Sequence, residues 1–506
     1  MFGSAPMENK DRKSKNNWLL FCSYAVLVAA GVYAHELWGD ELQAWNLINQ
    51  TNNFFSLVVH SPQDAHPFLW NTLVRVASLF TDTPEVMQIP SFVMSVLMGF
   101  VIIHFSPFNP GTKILILGGY FVLYEFAVFS RGYALSVFLF FLLIKNLSKE
   151  RPATYFHYLL VFLLSLTHLL AVFLTASTHL FLILKQETNR RRVVHFVAGV
   201  LALSPCLLYL LSGHNSGLQF NDVLSMFKGL RLHTVLDVPI RGFFPTPAIW
   251  KAEWWNTQML ITAVQDFPFL KYVRYFFSPL LLALAFIPII HNIKVAVLFT
   301  SNLLLTWVFA LFFPLESARY TGFVFICWIG CLWLSYNTAP QFSALKVITF
   351  LLLVNFISGI WAWQSDLRRP FSRFGDVEDL LSGADPKTLV TDFWGLTFLS
   401  AATNKSYYCV ESQGLKSYLL LDDSMFYFLR DPQRYTKGIA GFMKRHKTDK
   451  VSLFSIYNQN QLINIDTMLP VAYNLELTNK REGAIEKFSN LYIYSITARK
   501  VINSDR

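Results

Sequence analysis

Apolar residues come in long unbroken blocks along this chain, from Trp18 to about Tyr33 and then repeatedly down to Trp363. A helix needs about 20 apolar residues to cross the hydrocarbon of a bilayer. On that ruler the pattern predicts spans near 17–37, 86–106, 113–129, 132–146, 157–169, 171–186, 193–213, 272–291, 294–313, 319–337 and 343–363. The pair between 157 and 186 is short, and charge decides its reading. Lys145, Lys149 and Arg151 precede it, and Lys185, Arg190, Arg191 and Arg192 follow it. Basic clusters mark cytoplasmic loops, so two clusters on one side require a hairpin. A single long tilted helix is the alternative. Beyond Trp363 the blocks stop and short β-branched and aromatic runs take over. Candidate strands there are Thr388–Phe393, Tyr407–Val410, Val451–Tyr457, Val471–Leu477 and Leu491–Thr497.

The expected architecture is therefore a polytopic α-helical membrane protein of about 11 transmembrane helices with a C-terminal soluble α/β domain. Composition agrees. Of 506 residues, 54% are hydrophobic, 15% are charged and 48 are Phe. Soluble domains carry about 25% charged residues, so an ordinary cytosolic enzyme, a disordered chain and a disulfide scaffold are excluded. The net charge of +10 fits basic loops beside anionic lipid, and no nucleic-acid motif accompanies it. Lys10, Arg12, Lys13 and Lys15 place the N-terminus in the cytoplasm. Val32-Tyr33-Ala34 fits a signal-cleavage site, but as the first of many spans this segment reads as an uncleaved anchor. Eleven crossings divide the chain into a cytoplasmic segment 1–16, a membrane domain 17–363 with outer loops 38–85 and 214–271, and an extracytoplasmic domain 364–506. A bacterial inner membrane is the expected location.

That topology gathers ionisable residues from distant parts of the sequence on the outer face, where charges at membrane depth pair or work. Asp40 and Glu41 follow the first span. They are acids suited to a helix N-terminus or to a general base, and Leu42, Trp45, Leu47 and Ile48 after them are available to lie on the bilayer surface. His66-Pro67 opens a second apolar stretch, as a helix cap or as a ligand for substrate. Ser130-Arg131-Gly132-Tyr133 puts an arginine into an apolar run, either snorkelling or paired with Glu125, or as a phosphate ligand whose planar fork fits that group. Glu316-Ser317-Ala318-Arg319-Tyr320 repeats the theme, and His168 sits at the hairpin's outer tip. Glu125 and His179 read as structural. In the loop 214–271, Arg231, His233, Arg241, Lys251, Glu253, Trp254 and Trp255 suit an interface without any one standing out.

The Asp40-Glu41 pair just past the first span, His66-Pro67 in the same loop and Arg131-Gly132-Tyr133-Ala134-Leu135 together resemble the membrane glycosyltransferases of the GT-C fold. Within them, the bacterial protein O-mannosyltransferases and the lipid A aminoarabinose transferases are most similar. The likeness covers about residues 17–185, with further support from Arg319-Tyr320. It implies an inverting sugar transferase that uses a polyprenyl-phosphate-linked donor outside the cytoplasmic membrane, with a glycan, lipid or protein as acceptor. Asp40 matches the acid that serves as general base, with Glu41 orienting the acceptor or an arginine. Arg131, Arg319 and His66 would meet the lipid phosphate, with Tyr133, His168 and Tyr320 beside it. Many relatives show a second proline where Phe68 stands here. No cofactor is expected, and no second acidic motif points to a divalent metal.

Two other classes use similar ligands. A transporter or flippase of lipid-linked sugars needs polar groups on both sides of the midplane or broken helices there. A glycan polymerase or ligase uses a larger lipid-linked oligosaccharide. Ionisable groups clustered on one face favour the transferase.

Overall fold

A computed structural model describes residues 5–499 apart from 52, 62–66, 213–231, 313–316, 337–341 and 420–430. Each predicted apolar stretch carries a helix, and among the described residues five helices are long and apolar enough to cross a membrane. They are Ser14–Ala34, Pro84–Phe105, Ile293–Phe312, Ala318–Ser335 and Ala344–Arg368. The other apolar helices, among them the 24-residue Asn189–Ser212, pack with these as a multi-pass membrane bundle. The hairpin is real. Helices Thr154–Ser165 and Ala171–Lys185 are separated by a turn. Lys185 Nζ at the end of the second donates to the carbonyls of Leu147 (3.1 Å) and Lys149 (3.2 Å). The two basic clusters therefore share one end, as the charge pattern required. One helix was not foreseen: Leu232–Phe243, inside the stretch read as an outer loop. It packs against Lys271–Phe286, Ile293–Phe312 and Ala318–Ser335, with Val238, Ile240 and Phe243 fully buried.

The third predicted span, 113–129, is not a continuous helix. Helix Pro110–Leu117 starts with proline at its first turn, capped by Asn109, whose Oδ1 accepts from the Thr112 amide at 2.9 Å. It ends at Gly118-Gly119, and a π-helical turn, Tyr120–Glu125, follows before the chain turns irregularly up to Tyr133. Non-helical backbone at membrane depth survives only where protein satisfies it. Here every residue from 116 to 137 is buried. Tyr24 donates to the Val122 carbonyl (2.9 Å), Ser95 to Ala127 (3.0 Å) and Ser91 to Phe129 (3.0 Å).

The long helix Phe342–Arg368 presses onto this break at Gly359. A Cβ there would lie 2.4 Å from the Gly118 oxygen and 2.6 Å from Gly119 C and Tyr120 N. These are backbone atoms with no rotamer to escape into. Overpacking of this kind costs about 1–3 kcal/mol or more, so Gly359→Ala is expected to lower the thermal midpoint of the detergent-solubilised protein by several degrees. A fluorescence-detected melting curve checks this, and an unchanged midpoint would show that the two segments do not touch.

The C-terminal region forms one mixed six-stranded sheet. In chain order its strands are β1 (Leu389–Thr391), β2 (Tyr407–Cys409), β3 (Gly414–Lys416), β4 (Lys450–Ser455), β5 (Tyr473–Arg481) and β6 (Leu491–Ala498), in spatial order β3-β2-β1-β4-β6-β5. Strands β2, β1 and β4 are parallel, while β3, β6 and β5 pair antiparallel. All five predicted strands are present within a few residues, and the three-residue β3 is added. Helix Phe393–Thr403 crosses from β1 to β2, its N-terminus capped by Asp392 Oδ1 on the Gly395 amide at 2.6 Å.

This sheet packs directly on the helix after the first span. In Gly39–Gln50, Leu42, Trp45 and Ile48 share a core with Phe398, Leu399, Phe454 and Ile456. Asn46 Nδ2 donates to the Thr397 carbonyl at 2.9 Å and Gln43 Nε2 to that of Leu419 at 2.6 Å. The apolar face expected on the bilayer surface is thus covered by protein: Leu42, Trp45, Leu47 and Ile48 are all buried. A sheet with one apolar face offers a larger and better-packed partner than the headgroup region.

Candidate active site

The site grows from the entry to helix Gly39–Gln50. Trp38 is its N-cap, and the Glu41 side chain reaches back to accept from the Trp38 amide at 3.1 Å. Its other oxygen accepts from the Ser130 amide. Oε2 also meets His35 Nε2 at 3.4 Å, and the opposite nitrogen of that ring lies 2.8 Å from Asp366 Oδ2. One buried chain of contacts thus joins the end of the first span, the end of helix Phe342–Arg368 and the irregular segment before Tyr133. Glu41's side chain is wholly inaccessible, whereas Asp40's retains 37% of its surface. The adjacent acids therefore do different things. Glu41 fixes backbone, and its position leaves no surface for an acceptor. Asp40 presents a carboxylate to a cavity.

Asp40 Oδ2 pairs with Arg319 at 3.0 Å. Arg131 donates to the Asp40 carbonyl at 2.7 Å, so it does not pair with Glu125 as one reading of the sequence had it. Glu125 instead accepts from Tyr120 (2.9 Å) and Trp255 Nε1 (3.2 Å). The Arg319 guanidinium sits among three rings, with its carbon 5.0 Å from the centre of Trp38, 5.3 Å from Trp255 and 5.0 Å from Tyr320. Aromatic faces attract a cation without neutralising it, so Arg319 keeps its charge for Asp40 and for an anion. Arg319 also donates to the Tyr320 hydroxyl at 3.3 Å. Tyr133 packs on His168 with ring centres 5.2 Å apart, and His168 stacks on Phe323 at 5.3 Å while its Nδ1 accepts from the Leu170 amide at 3.1 Å. Thus Asp40, Glu41, Arg131, Tyr133, His168, Arg319 and Tyr320 do converge. His66 and Glu316 lie outside the described residues, as does Arg231. Three buried polar atoms of this cluster, Trp38 Nε1, Ser130 Oγ and Arg319 Nε, have no hydrogen-bond partner among the described residues. Such orphans at a cleft are what an incoming polar ligand would satisfy.

The cavity at Asp40 holds about 330 Å³. Trp38, Gly39 and Asp40 form one wall, and the C-terminal region forms the other with Trp394, Phe398, Ile456, Tyr457, Phe488 and Glu486. Glu486 is buried and its Oε2 accepts from the Phe488 amide (2.8 Å) and the Ser489 hydroxyl (2.7 Å). Burial pushes its carboxyl up to about 7, with the Asp40 charge adding to the rise and Arg319 opposing it. Sequence reasoning missed Glu486, Trp255, His35 and Asp366. For Asp366 a signal existed: it is the sole acid in the stretch 342–370, at the mouth of a span. Among the described residues, no group of three or more His, Cys, Asp or Glu is arranged to hold a metal ion.

Glu486 makes a pH prediction. A carboxyl raised from the ordinary 4.5 to about 7 in the folded protein binds more protons folded than unfolded. Its contribution is full below about pH 4.5 and is lost as pH rises through 7. Gln cannot ionise, so the melting midpoint of Glu486→Gln is expected to rise relative to wild type from pH 5 to pH 8. The gap corresponds to at most about 3 kcal/mol. A constant gap across that window would mean that Glu486 is already charged.

This is the architecture of a multi-pass membrane protein in which helix Gly39–Gln50 and the C-terminal region enclose an acid–arginine cavity. Its fold is similar to that of ArnT, an aminoarabinose transferase of the GT-C type. The structure of ArnT from Cupriavidus metallidurans bound to undecaprenyl phosphate superposes with a TM-score of 0.51, covering 94% of this chain and 97% of that one at 10% identity. The apo form of the same protein gives 0.50, covering 95% and 98% at 12% identity. The resemblance first carried by short motifs in residues 17–185 thus extends over nearly the whole chain. No protein-family model matches the sequence, and no curated protein matches it.

Proposed function

We propose that this protein is an inverting glycosyltransferase that moves a sugar from a polyprenyl-phosphate carrier to a hydroxyl acceptor at the Asp40 cavity. The observation that carries the reading is the pairing of an accessible carboxylate with a ring-enclosed arginine at 3.0 Å. Such a pair supplies a base for the nucleophile next to a cation for the leaving group. That a protein of this fold binds undecaprenyl phosphate supports the choice of carrier.

The chemistry follows from these groups. Asp40 accepts the proton of the acceptor hydroxyl as its oxygen bonds to the anomeric carbon. The bond from that carbon to the phosphate oxygen breaks on the opposite face, so the configuration inverts. The departing polyprenyl phosphate takes the electron pair. Arg319, with Arg131 beside it, stabilises the charge in a site dried by Trp38, Trp255 and Trp394. Glu41 acts through others: it holds the Ser130 amide, and so the turn that presents Arg131. Tyr133, His168 and Tyr320 complete the donor side. The cavity faces outward, in keeping with an extracytoplasmic C-terminal domain in a bacterial inner membrane. The test is release of free polyprenyl phosphate from a panel of radiolabelled polyprenyl-phosphate sugars by purified protein. If wild type consumes none of the panel, the reading fails for this donor class.

A further inference from the structure

A second cavity, of about 560 Å³, lies in the C-terminal region away from Asp40. Lys387, Lys405, Arg445 and His446 line it, and no acidic side chain does. Its remaining surface is largely ring and apolar: Tyr407, Tyr408, Phe442 and the exposed Leu415. Arg445 stands over the Tyr408 ring at 5.6 Å, and His446 stacks on Phe442 with ring centres 4.2 Å apart. All four basic side chains are exposed, and none forms an ion pair among the described residues.

Its place in the fold separates it from the first site. The Asp40 cavity meets the sheet at Ile456 and Tyr457, beyond the C-terminal end of β4. The second cavity meets it at Leu389 and Tyr407, the first residues of β1 and β2. Helix Phe393–Thr403 links the two, lending Trp394 and Phe398 to one and Thr403 to the other, separations of roughly 13 and 7 Å along its axis. Nucleotides favour the opposite end of parallel strands, where helix N-termini point at phosphate. Here two helices present their C-terminal ends, Thr403 and His446. Their dipoles repel an anion, so any anion preference comes from the four side chains.

We propose that this cavity binds an anionic oligosaccharide. Its volume lies within the range of roughly 300–1,000 Å³ typical of small-molecule sites. The half-buried Tyr407 ring and the exposed Leu415 offer apolar surface to a sugar ring, Tyr408 and Phe442 being buried beneath Arg445 and His446. The basic side chains match carboxylates or phosphates borne on sugars, Arg445 in fork geometry. A bare phosphate would leave the aromatic and Leu415 surface uncovered. The proposal stands independently of the transfer reaction, because it concerns a separate cavity.

The test uses the full chain in detergent, titrated calorimetrically with a galacturonate tetrasaccharide, maltotetraose and inorganic phosphate. The galacturonate is expected to bind at low salt and to weaken at about 0.5 M salt, where screening is short-ranged. Maltotetraose and phosphate are each expected to bind at least about tenfold more weakly. Lys405→Glu/Arg445→Glu should lower galacturonate affinity by about tenfold or more, with the elution profile unchanged and the melting midpoint lowered by only a few degrees, since Arg445 gives up its place over Tyr408 at a helix C-terminus. Tyr407→Ala should weaken it with the charges intact. Asp40→Asn should bind as wild type does, which keeps this result separate from failure of the transfer reading. No galacturonate binding, equal binding of phosphate or maltotetraose, or indifference to the charge reversal would overturn the proposal.

Discussion

Asp40→Asn is expected to lower sugar transfer by about 10²–10⁴-fold, the usual contribution of a positioned general base. The substitution is nearly isosteric. It removes the charge and the proton-accepting oxygen together while leaving the Asp40 carbonyl to accept from Arg131. Folding should survive, because the new side chain keeps an amide oxygen beside Arg319 and the Asp40 side chain retains 37% of its surface, although the buried guanidinium loses its carboxylate at a cost of about 1–3 kcal/mol. The informative measurement is polyprenyl phosphate release by wild type and variant side by side, with the melting midpoint as control. Release by the variant within tenfold of wild type would remove Asp40 from the reaction. Glu41→Gln provides the contrast. Its carboxylate is buried against two amides and His35, so the loss should appear first as instability. An unpartnered or mispaired buried group costs about 1–3 kcal/mol.

The two acids show what a sequence can carry. Their position after the first span, and the arginines on the same face, were legible because charge is rare in apolar blocks and topology then sorts it by side. The resemblance gave them different roles, but the burial of Glu41 on backbone amides and His35 was not legible. It depends on a one-residue difference in direction at a helix start, and on Ser130, His35 and Asp366 arriving from three other segments. Likewise the apolar pattern located the helical stretches but not the break at Gly118-Gly119. Hydropathy does not register whether a backbone carbonyl is bonded along its own helix or to Ser91, Ser95 and Tyr24. The strands were legible from β-branched and aromatic runs. That they would cover Leu42 and Trp45 was not, since an amphipathic face reads the same whether lipid or protein covers it. Glu486 was invisible for a related reason: a lone acid in a polar segment gains its meaning only from the cavity into which the fold closes it.

Arg319→Ala is the second substitution with a large expected effect, because two functions rest on one side chain. It pairs with Asp40, and in the proposed reaction it supplies the charge that meets the departing phosphate. Removing a preorganised donor of this kind costs about 10²–10³ in rate. The rings of Trp38, Trp255 and Tyr320 that surround the guanidinium would then enclose a void instead of a cation. Arg319→Lys separates charge from shape. An ammonium restores the sign but not the planar fork that bonds carboxylate and phosphate while lying against rings. The Lys variant is therefore expected to fall between Ala and wild type, with most of its loss in kcat, since a leaving group gathers its charge in the transition state. Polyprenyl phosphate release measured against donor concentration gives that division. If Lys equals wild type, Arg319 acts as a simple point charge. If Ala raises KM alone, Arg319 holds the donor equally in its ground and transition states, and another cation, with Arg131 the nearest candidate, would have to meet the departing phosphate.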